Sequence, residues 1–306
     1  MTVTLDDLPS AQSLVRVGTG DGTRICLWRD GRLLRPDRVE LTFDYLLELS
    51  AADMKEVLET LDVTDVTSRA DMLMAPVESQ EVWAAGVTYL RSRDARIAES
   101  DIGDVYDRIY MADRPELFLK AAGWRVVGPN DRIGVRSDSN WNVPEPELAV
   151  LANAAGEIVA YAIGNDVSSR QIEGANPLYL PQAKVYDRSC ALGPAAVMVW
   201  GAVPGAIRMT ITRGGFPVYT GETHVENMTR SPADLVRWLL SHYTLPHGVW
   251  LFTGTGLVPN DDFTLTEGDD VVIEIDGLGR LHNVVGTVAA AHPQPKLVEP
   301  GRRVQG

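Results

Sequence analysis

The chain has 306 residues, of which 45% are hydrophobic and 23% are charged, and its formal net charge is −14. These proportions are those of a globular protein with a sizeable core, and the acidic balance argues against nucleic acid or an anionic membrane surface as a partner. The start has no basic segment followed by an apolar core, and no run is long enough to span a bilayer, so we expect neither a signal peptide nor a membrane span. Cys26 and Cys190 stand in no paired or metal-binding spacing, which favours reduced thiols and a cytoplasmic location.

The first part of the chain predicts a small leading unit with both strands and helix. A hairpin is expected at 24–34, and apolar residues at helical spacing over 42–61 predict one amphipathic helix or two. The glycine-rich segment 18–22 precedes a strand instead of following one, so we interpret it as a turn and not as a dinucleotide loop. A linker at 76–80 then gives three predicted units: a small domain 1–80, a catalytic domain 81–290 and a loose tail 291–306.

Beyond the linker the sequence predicts a β-rich domain. The first elements are a buried strand at 82–87, a charged helix at 89–100, a short helix at 105–111 and an extended segment at 114–120. Later strands are expected at 195–200, 206–212, 216–220, 249–253, 270–276 and 281–288. One helix, 232–243, interrupts them and is capped by Ser231. Because helices are few, the pattern does not fit an alternating βαβ sheet.

Three carboxylates in the stretch 141–187 are predicted to converge. Glu145 and Glu147 are two residues apart in an extended segment, so their side chains point to the same face. Asp166 lies on the returning strand of a predicted hairpin. Three negative charges in a partly buried cleft repel one another unless a cation lies among them, and carboxylates favour Mg²⁺ first and Mn²⁺ or Ca²⁺ next. The alternative is a solvated strand edge.

The register of that hairpin decides whether the carboxylates meet. If the loop pairs Asn153 with Gly156, then Glu145 comes opposite Gly164 and Asp166 becomes its diagonal neighbour on the same face. A slip of one residue would turn Asp166 to the opposite face.

The proline-punctuated segment 176–182 predicts a loop that leads to Lys184. Lys184 is the predicted general base. Only four of the 28 basic residues are lysines, namely Lys55, Lys120, Lys184 and Lys296. A lysine beside a divalent cation and partly desolvated has its charged form disfavoured, so it can accept a proton near pH 7. Its alternative role is a salt bridge to one of the three acids.

The turn 253–256, Thr-Gly-Thr-Gly, follows an apolar strand and offers backbone N–H groups and hydroxyls to a carboxylate. A plain strand-end turn is the alternative. The five histidines stand in no metal-ligand spacing. The sequence has no nucleophile elbow and no P-loop, so neither a serine nucleophile nor nucleotide chemistry is supported.

Several segments, in chain order, resemble the fumarylacetoacetate hydrolase superfamily over about residues 80–288. They are PEPELAV, GNDVSSR, AKVYD, LGP, NMTRSP, LFTGTG and LTEGDDVVIEIDGLGRLHN. The closest resemblance is to the branch of 2-keto-3-deoxy-pentonate dehydratases, in VTYLRSRDAR, RPELFLK and SSRQIEGANPLYLPQAK.

This resemblance implies an α+β, β-rich fold, a mixed β-sandwich roll with a small N-terminal α/β unit, assembled as a homodimer or a dimer of dimers. It implies Mg²⁺ held by Glu145, Glu147 and Asp166, and it places the family's lysine at Lys184. The implied substrate-binding residues are Ser92, Arg170, Gln182 and Thr255.

One departure from the superfamily separates lyase from hydrolase. Its hydrolases have a His and, three residues later, a Glu that activate water for carbon–carbon cleavage, and the matching positions here are Ser92 and Ala95. Hydrolysis without that pair lacks its general base, so we favour a lyase.

The implied reaction begins with a 2-keto acid that chelates the metal, which stabilises an enolate. Lys184 removes a proton from C3 and the C4 hydroxyl leaves as water, with Glu116 as the acid and 2,5-dioxopentanoate as the product. Alternatives are an acylpyruvate or fumarylacetoacetate-type hydrolase, a 2-keto acid decarboxylase or tautomerase, and a non-catalytic keto-acid-binding protein.

Overall fold

The computed structural model describes residues 5–19, 22–37, 41–67, 72–90 and 111–291. The leading strands are β1 (Ser13–Thr19), β2 (Gly22–Arg29), β3 (Arg32–Pro36), β4 (Val63–Asp65) and β5 (Met72–Met74). The later strands are β6 (Glu81–Gly86), β7 (Glu116–Ala122), β8 (Arg132–Arg136), β9 (Asn142–Val143), β10 (Pro146–Ala152), β11 (Ile158–Asp166), β12 (Ser168–Ser169), β13 (Cys190–Met198), β14 (Ala206–Arg213), β15 (Phe216–His224), β16 (Val249–Thr255), β17 (Asp270–Ile275) and β18 (Gly279–Val288). The α-helices are α1 (Phe43–Glu48), α2 (Ala51–Thr60), α3 (Arg170–Ala175), α4 (Leu180–Lys184) and α5 (Pro232–Leu240).

Two large sheets form the molecule. The larger has the order β4-β3-β2-β1-β13-β11-β10-β16-β6-β7, with β5 beside β1, and the smaller has the order β15-β14-β17-β18-β8. The named strands pair antiparallel except for β16 with β6 and β18 with β8, which are parallel. The predicted α+β, β-rich class with a mixed sheet is confirmed. None of the described helices is long and apolar enough to cross a lipid bilayer.

The larger sheet closes on itself. After β7 the chain returns to β13, where Val127 forms a parallel bridge with Ala191. The Val127 N–H donates to the Cys190 carbonyl at 2.9 Å, and the Leu192 N–H donates to the Val127 carbonyl at 3.1 Å. The six strands from β13 through β11, β10, β16 and β6 to β7 therefore curl into a roll.

The two faces of β10 pack against different partners, so all seven of its residues are buried. Ala149 and Leu151 belong to the cluster that contains the side chains of α1 and α2. Leu148 and Val150 belong to the cluster with Ile273 and other residues of the smaller sheet. Burying an aliphatic side chain of this size contributes about 1.5–3 kcal/mol to folding stability. The buried side chains of β10 therefore hold the residues at its start in a fixed position.

The helices α1 and α2 are the predicted helical pair, and each is capped as its sequence suggests. The Thr42 side chain accepts from the Tyr45 N–H, and the Ser50 side chain accepts from the Asp53 N–H. The helices lie at the turn end of the β10–β11 hairpin, where the Ala154 N–H donates to the carbonyl of Leu47. They therefore pack against one end of the roll, and the first residues of β10 lie at the other end.

The leading strands extend the larger sheet, because β1 pairs with the second half of β13. The predicted linker is irregular, as expected, but it is packed: Val77 is buried and the Glu78 carboxylate accepts from the Phe43 N–H at 2.7 Å. The division into domains 1–80, 81–290 and 291–306 stays a prediction.

The predicted register of the β10–β11 hairpin was wrong by two residues. Glu147, not Glu145, lies opposite Gly164. The turn closes one residue later than expected, by a bond from the Asn153 N–H to the Glu157 carbonyl at 3.0 Å, and a bulge at the end of β10 adds the second residue. Because the error is even, the predicted faces are unchanged.

The segment before Lys184 was predicted as a loop and is helical. A 3-10 helix, Pro177–Tyr179, leads directly into α4, and Lys184 is the last residue of α4. Both pieces have a proline in their first turn, where its missing N–H costs nothing. Most of the predicted helices 89–100 and 105–111, and most of the tail 291–306, lie outside the described residues.

Candidate metal centre and active site

The three predicted carboxylates converge. Glu145, Glu147 and Asp166 each offer an oxygen, and these atoms lie within 4.8 Å of one another. All three side chains are buried, with 1–3% of each residue exposed. The Asp166 N–H donates to the Glu145 carbonyl at 3.0 Å, which continues the ladder of β10 and β11 past Pro146. The hairpin thus holds three carboxylates at the open end of the roll.

Lys184 reaches the same point from the end of α4. Its Nζ donates to Glu145 Oε2 at 2.6 Å and to Asp166 Oδ2 at 3.0 Å, and the residue is 1% exposed. The centre of the Phe118 ring lies 5.8 Å from Nζ, which is a cation–π contact. The structure therefore has the salt bridge that the sequence offered as the alternative to a base, at the place where a base would act.

Lys120 belongs to the centre and was missed by the sequence analysis. Its Nζ lies 2.6 Å from Asp166 Oδ1 and donates to the carbonyls of Val167, at 3.0 Å, and Lys184. Lys120 is the extra residue of a β-bulge, because Ala121 pairs with Val82 while Leu119 pairs with Trp83. Bulges redirect side chains beside active sites. The scarcity of lysine in the sequence is the signal that could have identified Lys120.

Arg170 is the first residue of α3 and is buried beside the carboxylates. Its Nη2 lies 3.3 Å from Glu145 Oε1, and its Nη1 lies 3.9 Å from the buried Glu173. The Ser169 side chain caps α3 by accepting from the Ile172 N–H. The predicted Arg170 is therefore in the centre, and Glu173 is an acid that the sequence analysis did not single out.

The charges of the centre do not balance. Among the described residues, the buried acidic and basic groups at this point are Glu145, Glu147, Asp166, Glu173, Lys120, Lys184 and Arg170. If all are ionised, this set carries one net negative charge. A divalent cation together with one singly charged anionic ligand would bring it to neutrality. The all-carboxylate donor set is the kind that Mg²⁺ prefers, so these residues fit such an ion.

Of the three carboxylates, Glu147 is the one whose negative charge is least balanced by contacts with basic side chains. Its Oε2 accepts the Gly254 N–H at 2.5 Å. Burial raises the pKa of Glu147 well above its ordinary value, and the negative charges of Asp166 and Glu145 raise that pKa further. The ionised form of Glu147 therefore calls for a positive charge at this position.

Glu116, the proposed acid, lies at the same end of the roll. It is half-buried at the start of β7, opposite Gly86, and its carboxylate covers the place where a Cβ on Gly86 would stand. Alternation along the strand puts Glu116 on the same face as Phe118, whose ring lies beside Lys184. The structure thus places Glu116 on the face of β7 that carries Phe118.

The remaining predicted residues differ in placement. Thr255 lies opposite Glu147, but its hydroxyl lies 2.9 Å from the Pro146 carbonyl, to which it donates, and accepts the Leu257 N–H. Gln182 is exposed on α4. Ser92 and Ala95 lie outside the described residues.

Fold and site together define a mixed β-sandwich roll with a carboxylate centre suited to a hard divalent cation. The chain belongs to the fumarylacetoacetate hydrolase family: the family model described as fumarylacetoacetate (FAA) hydrolase C-terminal matches residues 82–286.

The chain is 50% identical over 236 residues to a probable 2-keto-3-deoxyxylonate dehydratase of Haloferax volcanii, which covers 76% of this chain and 81% of that protein. It is 35% identical over 241 residues to the 2-dehydro-3-deoxy-D-arabinonate dehydratase of Saccharolobus solfataricus, covering 76% and 79%. A solved 2-keto-3-deoxy-D-arabinonate dehydratase, complexed with magnesium and 2,5-dioxopentanoate, superposes with a TM-score of 0.78 at 30% identity, covering 90% of this chain and 99% of that one. The predicted family and the resemblance to its dehydratase branch are confirmed.

Proposed function

We propose that this protein is a Mg²⁺-dependent hydro-lyase that converts a 2-keto-3-deoxy-pentonate to 2,5-dioxopentanoate. The observation that carries the proposal is the buried lysine–carboxylate centre, in which Lys184 contacts two of three converging acids. The chain's similarity to dehydratases supports the substrate class, as does the product bound in the solved relative.

Glu145, Glu147 and Asp166 would hold the cation, with Mn²⁺ or Ca²⁺ as possible substitutes for Mg²⁺. When bound, the ion supplies Lewis acidity that polarises the 2-keto group and makes the C3 proton more acidic. Arg170 and Lys120 stay beside these acids and fix where their oxygens point.

Lys184 takes the proton from C3 at Nζ. Its contacts with Glu145 and Asp166 fix Nζ beside these carboxylates, and the Phe118 ring lies against Nζ. A divalent cation held by Glu145, Glu147 and Asp166 would add positive charge beside Nζ and so favour the neutral amine that acts as the base.

Glu116 gives a proton to the C4 hydroxyl, which leaves as water. The remaining alkene reaches the product when one of the two hydrogens on C5 and the hydrogen of the C5 hydroxyl move, as protons, to C3 and C4, which leaves an aldehyde at C5. Arg170, Thr255, Gln182 and Ser92 are proposed to bind the substrate.

We also propose that the protein is a cytoplasmic homodimer or dimer of dimers. Cys26 and Cys190 are free buried thiols, which suits a reducing compartment.

The test is incubation of the purified protein with Mg²⁺ and each enantiomer of 2-keto-3-deoxy-pentonate. The aldehyde product is followed through a coupled semialdehyde dehydrogenase. We expect signal with one enantiomer and its loss with EDTA. Silence with both, together with pyruvate release from an acylpyruvate, would replace this proposal with the hydrolase alternative.

A further inference from the structure

Tyr89 has a buried hydroxyl that the proposed mechanism does not use. The residue is 2% exposed, and its Oη has no hydrogen-bond partner in the described part of the chain. A buried hydroxyl without a partner destabilises a fold, because it loses its hydrogen bonds to water without replacement, so each one needs an explanation. An acceptor supplied by a ligand is one.

The residue before Tyr89 is hydrogen-bonded to the end of β16. Thr88 Oγ1 donates to the Thr253 carbonyl at 2.6 Å, and the Thr88 carbonyl accepts the Thr229 N–H at 2.9 Å. The Tyr89 ring lies directly against Gly256, where an added Cβ would come 2.8 Å from the ring. Gly256 follows Thr255, the residue opposite Glu147, so the ring stands beside the carboxylate centre.

The hydroxyl of Tyr89 remains a donor at neutral pH. Burial raises the pKa of Tyr89 far above its ordinary value, and the negative charge of Glu147 raises that pKa further. The nearby Thr255 hydroxyl already donates to the Pro146 carbonyl. Of these two neighbouring hydroxyls, Tyr89 is therefore the one with a proton to offer to a ligand.

We propose that the Tyr89 O–H donates a hydrogen bond to the carboxylate of the bound 2-keto acid. The inference rests on the proposed function. The Tyr89 ring contacts Gly256 at the end of β16, near Glu147, whereas Glu116, the proposed acid for the C4 hydroxyl, lies on β7. Tyr89 is therefore assigned to the carboxylate end of the substrate and not to the C4 end. A carboxylate is also the strongest acceptor that such a substrate brings.

The test compares Tyr89→Phe with wild type and with Tyr161→Phe, a half-buried tyrosine away from the centre that serves as the control. Pyruvate is the probe, because it has the carboxylate and keto group but no C4 hydroxyl. Its affinity for the full-length protein is measured by calorimetry in the presence of Mg²⁺. Thermal unfolding is measured without metal, and kcat/KM is measured with 2-keto-3-deoxy-pentonate.

For Tyr89→Phe we expect pyruvate affinity and kcat/KM to fall about tenfold or more, as befits a lost bond to a charged acceptor. The metal-free melting temperature should stay the same or rise, because the change removes a hydroxyl that has no partner. Tyr161→Phe should change neither the pyruvate affinity nor kcat/KM.

Unchanged affinity and kcat/KM would overturn the assignment, as would a lower metal-free melting temperature with unaltered kinetics. A fall in kcat/KM with pyruvate affinity unchanged would overturn it too, because the contact would then lie beyond the carboxylate. If wild type neither turns over the pentonate nor binds pyruvate, the proposed function itself fails, and that result is visible before any variant is made.

Discussion

Two sites with buried carboxylates in this protein are built in opposite ways. The Asp269 cluster, beside the smaller sheet, is one carboxylate with four donors: Arg213 Nε and Nη2 at 2.7 and 2.8 Å, and the Thr266 N–H and hydroxyl at 2.9 and 3.1 Å. The carboxylate centre instead crowds Glu145, Glu147 and Asp166 within 4.8 Å of one another.

Their acidities differ accordingly. Burial alone would raise the pKa of Asp269, but the hydrogen bonds from Arg213 and Thr266 more than offset it and hold that pKa below its ordinary value. The pKa of Glu147 is raised by burial and by its neighbours. The first cluster therefore stabilises the fold, whereas the second stores repulsion that a cation can relieve.

The largest expected effect is on turnover. Lys184→Ala should keep the fold and the stabilisation by Mg²⁺ but lower kcat by about 10³-fold, within the range for a general base. Steady-state kinetics and Mg²⁺-dependent melting measure both. Lys55→Ala, on the exposed surface of α2, is the control and should leave kcat unchanged. Near-normal activity of Lys184→Ala would remove Lys184 as the base.

Asp269→Asn should act only on the fold. The amide cannot accept from all four donors, so we expect the free energy of unfolding to fall by about 2 kcal/mol, the scale for a lost charged hydrogen bond. Denaturant titration measures this, and kcat should be unaltered. The exposed Asp261→Asn is the matched control. Equal stability of the two variants would contradict the structural role of Asp269.

Glu147→Gln should stabilise the metal-free fold, whereas Asp269→Asn should destabilise it. Glutamine can still accept the Gly254 N–H, and it removes the charge that burial and the neighbouring acids disfavour. We expect the metal-free free energy of unfolding to rise, because the folded state no longer holds a charge that burial and the negative charges of Asp166 and Glu145 disfavour. The stabilisation by Mg²⁺ should be lost. Unfolding curves with EDTA and with Mg²⁺ test both, and a drop in metal-free stability would refute the stored repulsion.

The smallest expected effect is the change with pH in the contribution of Asp269 to stability. Because the folded-state pKa of Asp269 is depressed, its stabilising contribution is fully present above the unfolded-state pKa of about 3.9 and is lost as pH falls through the folded-state pKa. The stability difference between wild type and Asp269→Asn should thus be constant from pH 5 to 7 and shrink below about pH 4. A difference that persists at the lowest pH would assign the effect to packing instead of ionisation.

The sequence predicted the parts of this centre that depend on local rules. The two-residue spacing of Glu145 and Glu147 and the alternation of faces survived a register error, because that error was even. Lys120 was missed because its place depends on a bulge in β7 and on the closure of the roll, which bring it to Asp166 from 46 residues away. No local pattern contains that contact.

The loop predicted before Lys184 failed for a related reason. Prolines were taken as loop markers, although in the first turn of a helix they are favourable. Tyr89 shows a further limit, because no sequence pattern indicates which buried hydroxyl will lack a partner in the fold.

The closed roll also decides how the molecule opens. The strands that carry Glu147 and Asp166 are paired on both sides, β10 between β11 and β16, and β11 between β10 and β13. Amide protons there can exchange with deuterium only when the roll itself comes apart, while β15, at the rim of the smaller sheet, exchanges through local fraying. We therefore expect the amides of β10 and β11 to exchange more slowly than those of β15, whose outer edge could pair with a strand of another molecule.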